Sequence, residues 1–181
     1  MILPGAALLR VVLTGSECTG KTTLASELAE HYRTVWVPEQ SRLYLEAKGA
    51  PLVYADVEPI ARAVIAAEEE MVSRADRLLI LDTDLLSTVV YSRAYYGECP
   101  PWVEAAARER RAHLYLLHHP DVPWVADGLY RDVPDRREEM HALFRKALEA
   151  ADADYLDIRG GWEERRARAR RAIDALRAAP L

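Results

Sequence analysis

The sequence is short of the residues that staple small folds, coat nucleic acids or cross membranes. Two cysteines, Cys18 and Cys99, in 181 residues exclude a disulfide framework and suit a reducing compartment, so a cytoplasmic location is expected. Lysine is scarce, with three lysines against 21 arginines, and the formal net charge is -5. That balance leaves no global positive field of the kind nucleic-acid binders carry. The apolar start at residues 1–9 is short, contains Pro4-Gly5 and has no basic flank before it, so it reads as neither a secretory signal nor a membrane span. No internal repeat, low-complexity tract or long linker interrupts the chain, and the length suits a single domain over residues 1–181. A small-molecule partner is therefore expected, without nucleic acid or membrane, and the oligomeric state stays open.

One of the three lysines sits in the most informative stretch of the chain. Gly15, Ser16, Glu17, Cys18, Thr19, Gly20, Lys21 and Thr22 fit G-x-x-x-x-G-K-[ST], directly after the apolar run 8–13. Glycines at both ends let the backbone wrap so that successive N–H groups point inward, forming an anion nest at the start of the helix over Lys21–Tyr32. ATP is the expected guest, contacted by these loop residues and Thr23. Lys21 would reach the β- and γ-phosphates, and the Thr22 hydroxyl would ligate the bridging Mg2+.

The pattern beyond the loop alternates strands with helices. Strands are expected at 8–13, 34–37, 77–82, 113–117 and Tyr155–Ile158, and helices at 41–47, 57–75, near 85, after Arg137 through Leu148, and over about Trp162–Ala178. The continuous apolar run 78–81 closed by Asp82 is the signature of a strand buried on both faces. Right-handed crossovers then give an α/β, P-loop NTPase fold, a five-stranded parallel sheet with helices on both faces and a short lid at about 121–148.

Ligands of such sheets bind beyond the carboxyl ends of the strands, where Glu39, Asp82 and Asp84 fall. Asp82 is expected on the metal side together with Thr22. Any of the three acids is placed to orient an acceptor hydroxyl and take its proton. Capping is the competing role for Asp84, at the helix starting near Leu85, and pairing with Arg42 is the competing role for Glu39. Arg42 is also a candidate substrate contact. Within the lid, Arg131, Arg136 and Arg137 are candidates to neutralise charge on a transferring phosphoryl group, with solvated surface charge the alternative reading for Arg137. His118-His119 lacks acidic or thiol partners at ligand spacing and is expected to serve the strand end rather than a metal. The arginine-rich last helix, with seven arginines between residues 159 and 177, reads as a solvated face beside a buried stripe of Ala169, Ile173 and Leu176. Tyr91, Tyr95 and Tyr96 are spaced to pack in the core or to face a planar substrate ring.

Taken together, the loop, Pro38-Glu39-Gln40-Ser41-Arg42, Leu81-Asp82-Thr83-Asp84 and Trp124-Val125-Ala126-Asp127-Gly128-Leu129 resemble the kinase domain of NadR-type proteins, the bacterial ribosylnicotinamide kinases of the P-loop kinase superfamily, an AAA-like ATPase domain. The similarity runs from the first strand to the last helix. It implies transfer of the ATP γ-phosphate to the 5′-hydroxyl of nicotinamide riboside, giving nicotinamide mononucleotide for NAD synthesis. It further implies Lys21 and Thr22 on phosphates and magnesium, Asp82 and Asp84 at the catalytic tip, Tyr95 against the nicotinamide, and Trp124 and Asp127 among the substrate contacts.

Overall fold

The computed structural model describes residues 8–124 and 136–179. Its strands are β1 (Leu9–Thr14), β2 (Trp36–Val37), β3 (Leu78–Asp82), β4 (Leu114–His118) and β5 (Tyr155–Ile158). They form one parallel sheet in the order β2-β3-β1-β4-β5. The central β1 is the switch point: the chain leaves it toward β2 and β3 on one side and returns to β4 and β5 on the other. Ligand crevices open at such points, so the glycine-rich loop after β1 sits at the mouth of the sheet.

Seven α-helices among the described residues surround it: α1 (Lys21–Tyr32), α2 (Gln40–Lys48), α3 (Val57–Val72), α4 (Leu85–Tyr96), α5 (Pro101–Glu109), α6 (Arg137–Ala150) and α7 (Trp162–Ala178). On one face Leu24, Ala25 and Leu28 of α1 and Ala169 and Ile173 of α7 pack on Leu13, Ile80, Leu116 and Ile158. On the other, Val90 of α4 and Met140, Phe144 and Leu148 of α6 pack on Val12, Leu81, Tyr115 and Leu117. Every residue of β3 is buried, and its side chains alternate between the two layers, as a strand covered on both faces requires. A third cluster joins α3, α4 and α5 through Ile60, Val64, Val89, Val103 and Ala107.

Three details differ from the sequence pattern. The second strand ends before Pro38 as expected but starts two residues later, at Trp36, and the Thr34 hydroxyl before it is engaged on the Leu78 carbonyl at 2.5 Å. The fourth strand runs one residue further, to His118, while the His113 ring accepts from the Arg10 N–H at 3.1 Å. Helix α5 was not expected at all, since Pro100-Pro101 reads as a turn. Proline at the first helical position instead starts a helix without losing a needed donor, and Val103 and Ala107 bury its inner face.

Phe144, the chain's one phenylalanine, is fully buried and meets the Tyr91 ring edge-on, with centroids 5.4 Å apart. Phe144→Ala is expected to lower the unfolding free energy by about 3–5 kcal/mol in urea titration. A loss below about 1 kcal/mol would contradict this packing.

Candidate active site

The loop following β1 has the geometry of an anion nest. Gly15 and Gly20 have φ of 126° and 81°, and Cys18 also lies in the left-handed region at 52°. A Cβ on Gly15 would stand 2.7 Å from the His118 carbonyl oxygen, and one on Gly20 would stand 2.7 Å from the Trp162 ring. Only glycine fits either position. No side chain caps α1 at its N-terminus, which leaves its first N–H groups and positive dipole end directed at the loop. Lys21 is buried and curls back so that its Nζ donates to the Ser16 carbonyl at 2.8 Å. The Thr19 hydroxyl reinforces the same carbonyl at 3.0 Å.

The tip of β3 distributes its three polar residues in three directions. Thr83 adopts φ of 67°, an unusual conformation for a β-branched side chain and one that costs about 1–3 kcal/mol; its N–H donates to Leu13 at 3.0 Å. Before this turn, buried Asp82 accepts from the Thr22 hydroxyl at 2.5 Å, so the two residues assigned to the metal side lie together. At the turn, Thr83 faces the neighbouring cavity. After it, Asp84 is drawn inward. Its carboxylate caps α4 by accepting from the Ser87 N–H at 3.2 Å and also accepts from the Tyr115 hydroxyl at 2.8 Å. Burial pushes its pKa up to about 6.

A cavity of about 440 Å3 adjoins the loop, lined by Glu17, Glu39, Thr83, Ser87, Tyr91, Tyr95 and Tyr96 together with apolar residues of α2 and α3. Glu39 is buried and accepts from the Ser41 hydroxyl at 2.8 Å. Tyr91 and Tyr95 stack nearly parallel, 5.8 Å between centroids. Arg42 stands apart from this lining and pairs with Glu46 at 3.0 Å on the helix surface. A smaller cleft brings Trp124, Arg136 and Arg137 against Ser16, Glu17 and Tyr91, so Glu17 and Tyr91 border both spaces. Arg136 lies over the Tyr95 ring at 5.4 Å and pairs with Glu139 at 3.3 Å. Thr22 and Thr23 are exposed at the first turn of α1. Asp127 and Arg131 lie outside the described residues.

Two buried arginines stand behind the loop, Arg165, which the sequence pattern places on a solvated face, and Arg137, a lid candidate whose alternative reading is surface charge. Arg165 is fully buried, which corrects the reading of the α7 arginines as uniformly solvated. It donates to the carbonyls of Gly160, His119 and Thr19 at 2.9, 3.0 and 3.2 Å and pairs with Asp121. Arg137 is buried as well and donates to the Val122 carbonyl at 3.0 Å and the Cys18 carbonyl at 3.4 Å. The signal for both was present: Arg165 precedes Ala169 and Ile173 by whole helical turns, and Arg137 continues the stripe of Met140, His141, Phe144 and Leu148. His118 is buried with Nδ1 3.0 Å from the Thr19 carbonyl; burial lowers its pKa to about 3, so it is neutral. His119 packs against the His141 ring, 4.6 Å between centroids.

The model of the AAA domain family matches residues 10–165. The chain belongs to the AAA domain family. Within this AAA domain lie the loop, the β3 tip, both cavities and Arg165. The chain is also similar to the trifunctional NAD biosynthesis/regulator protein NadR of Escherichia coli strain K12, 30% identical over 154 residues, covering 82% of this chain and 37% of the relative. The same protein of Salmonella typhimurium is 33% identical over 123 residues, covering 66% of this chain and 30% of the relative. The chain thus spans about a third of the length of these curated relatives. Among solved structures, a NadR protein in complex with NR superposes with a TM-score of 0.85 at 23% identity, covering 96% of this chain and 53% of the other. A NadR protein with NAD and AMP-PNP gives 0.80 at 23% identity, covering 96% of this chain and 51% of the other. Thymidylate kinase of Candida albicans gives 0.68 at 13%, with 96% and 94% covered. At these identities the superpositions establish the fold. No helix among the described residues is long and apolar enough to cross a membrane.

The raised Asp84 pKa makes a signed prediction. A carboxyl that titrates near 6 when folded and near 4 when unfolded binds its proton more tightly in the native state, so it erodes stability as pH rises from about 4 to about 6. Asp84→Asn is expected to remove that erosion. In urea unfolding, the variant should gain on the natural chain by about 2–3 kcal/mol between pH 4 and pH 7; a constant difference across that range would contradict the buried-carboxylate assignment.

Proposed function

We propose that the chain transfers the γ-phosphate of ATP to the 5′-hydroxyl of nicotinamide riboside, giving nicotinamide mononucleotide and ADP. The observation that carries the proposal is the contiguity of two spaces, an anion nest and a tyrosine-walled cavity bearing a buried carboxylate, joined at Glu17. The similarity to NadR over most of the chain supports the same acceptor.

In this reading the nest N–H groups and Lys21 hold the donor phosphates, and Arg136 adds positive charge beside the loop as negative charge spreads in the transition state. Thr22 and Asp82 are adjacent hard oxygen donors that fit Mg2+, whose bound form neutralises phosphate charge. Tyr95 offers a face for the pyridinium ring. Glu39 takes the proton of the 5′-hydroxyl as that oxygen forms its bond to the γ-phosphorus and the β–γ bridging bond breaks, leaving the electron pair on ADP. Of the three strand-tip acids, Glu39 lines the cavity while Asp82 and Asp84 do not, which favours Glu39 for this role. A nucleoside is favoured over a nucleoside monophosphate, because among the described residues the cavity lining holds two carboxylates and neither lysine nor arginine.

Phosphorus NMR of ATP with a panel of nucleosides and monophosphates tests the proposal. Turnover with nicotinamide riboside above all other acceptors is expected, and its absence would sink the acceptor. Glu39→Gln should lower kcat by about 10²–10⁴-fold with the KM for ATP within about twofold. Asp84→Asn should leave kcat within about tenfold, and the opposite ranking would move the proton acceptor to Asp84.

A further inference from the structure

We infer that Arg165 is a positioning residue for phosphate binding, which sets the direction of a loop N–H from behind the loop. The inference rests on the reading of the loop as a triphosphate nest. In a trans peptide the C=O and the following N–H point in opposite directions. Whatever holds the Thr19 carbonyl therefore aims the Gly20 N–H. Two buried groups hold that carbonyl, Arg165 Nη1 at 3.2 Å and His118 Nδ1 at 3.0 Å. The oxygen can only accept, so the histidine carries its proton on Nδ1. Both donors lie on the β4 and α7 side of the loop, and so does Trp162, which closes over the Gly20 Cα. The Gly20 N–H is consequently turned to the opposite side, the concave side of the loop.

The guanidinium is itself fixed in every direction. Its remaining donors engage the Gly160 and His119 carbonyls and Asp121, so the ends of β4 and β5 and the start of α7 converge on one cation. A charged donor on a carbonyl also polarises the peptide and strengthens the N–H at its other end. Arg137 repeats the device one residue earlier. It donates to the Cys18 carbonyl and so biases the Thr19 N–H in the same sense, from α6 rather than α7. A buried cation facing away from the phosphates thus acts on them through one peptide plane, without touching the ligand.

Such a group changes ATP affinity without changing acceptor affinity, whereas a purely structural residue affects both or neither. The test compares Arg165→Lys and the paired variant Arg165→Met with Asp121→Asn, which leaves no stranded carboxylate, against the natural chain. Readouts are ATP binding by calorimetry and KM for each substrate. The lysine variant keeps the charge but loses the planar fork, so its Kd for ATP should rise about tenfold and that of the methionine pair about 50-fold or more. The acceptor KM should stay within twofold in both, with Arg137→Lys giving a smaller change of the same selectivity. If the methionine pair does not fold, the lysine variant decides. ATP affinity within twofold of the natural chain in a folded variant, or equal losses for ATP and acceptor, would overturn the inference while leaving the nest intact. Failure of the natural chain itself to bind ATP would overturn the nest, and the inference with it.

Discussion

The backbone from Gly15 to Thr22 is the constraint on which the remaining architecture depends. It must leave the central strand, turn through three left-handed residues and enter α1 with its N–H groups facing inward. An isolated chain would not hold that path, because the amides would be solvated and the left-handed Cys18 disfavoured. What holds it is the sheet beneath and the helices behind. His118 backs Gly15 through its carbonyl and Thr19 through its ring, Trp162 covers Gly20, and Arg137 and Arg165 take two successive carbonyls. The strand order matters because it places β4, which ends in His118, and β5, which leads into α7 with Trp162 and Arg165, on the side of β1 away from β2 and β3.

The cavity side follows a different rule. There the β3 tip separates three neighbouring residues by one strained turn at Thr83, sending Asp82 to Thr22, Thr83 to the cavity and Asp84 into the layer between sheet and helices. Strain of this kind persists only when the surroundings over-determine it. The Thr83 N–H on Leu13 and the Asp84 cap on α4 supply that determination from both sides. The nest and the cavity are thereby anchored to the sheet and its helices, and the two spaces share Glu17 and Tyr91 as a common wall.

Much of this was legible in one dimension. Strands buried on both faces carry unbroken apolar runs, and the loop pattern is specific when a strand precedes it and a helix follows. That gave the parallel sheet and the placing of Lys21, Thr22 and Asp82 without coordinates. Helix α5 was hidden because proline has opposite meanings as a breaker and as a first helical residue, and the choice depends on whether Val103 finds a partner across space. Asp84 could not be assigned because capping and catalysis use the same carboxylate, and only the Tyr115 hydroxyl, 31 residues away, decides where it turns. Arg165 is obscured by the abundance of arginine around it. Charge density along α7 reads as solvent exposure, and only extending the buried stripe by one turn singles out the arginine that carries no exposed surface.

The account makes the nest and the tyrosine-walled cavity two adjacent sites on one chain, each filled while the other is occupied. Calorimetric titration of nicotinamide riboside into the protein saturated with Mg2+ and AMP-PNP tests this most directly. The account predicts one riboside bound per chain with affinity undiminished by the nucleotide analogue. Mutual exclusion of the two ligands, or no riboside binding in either state, would contradict it.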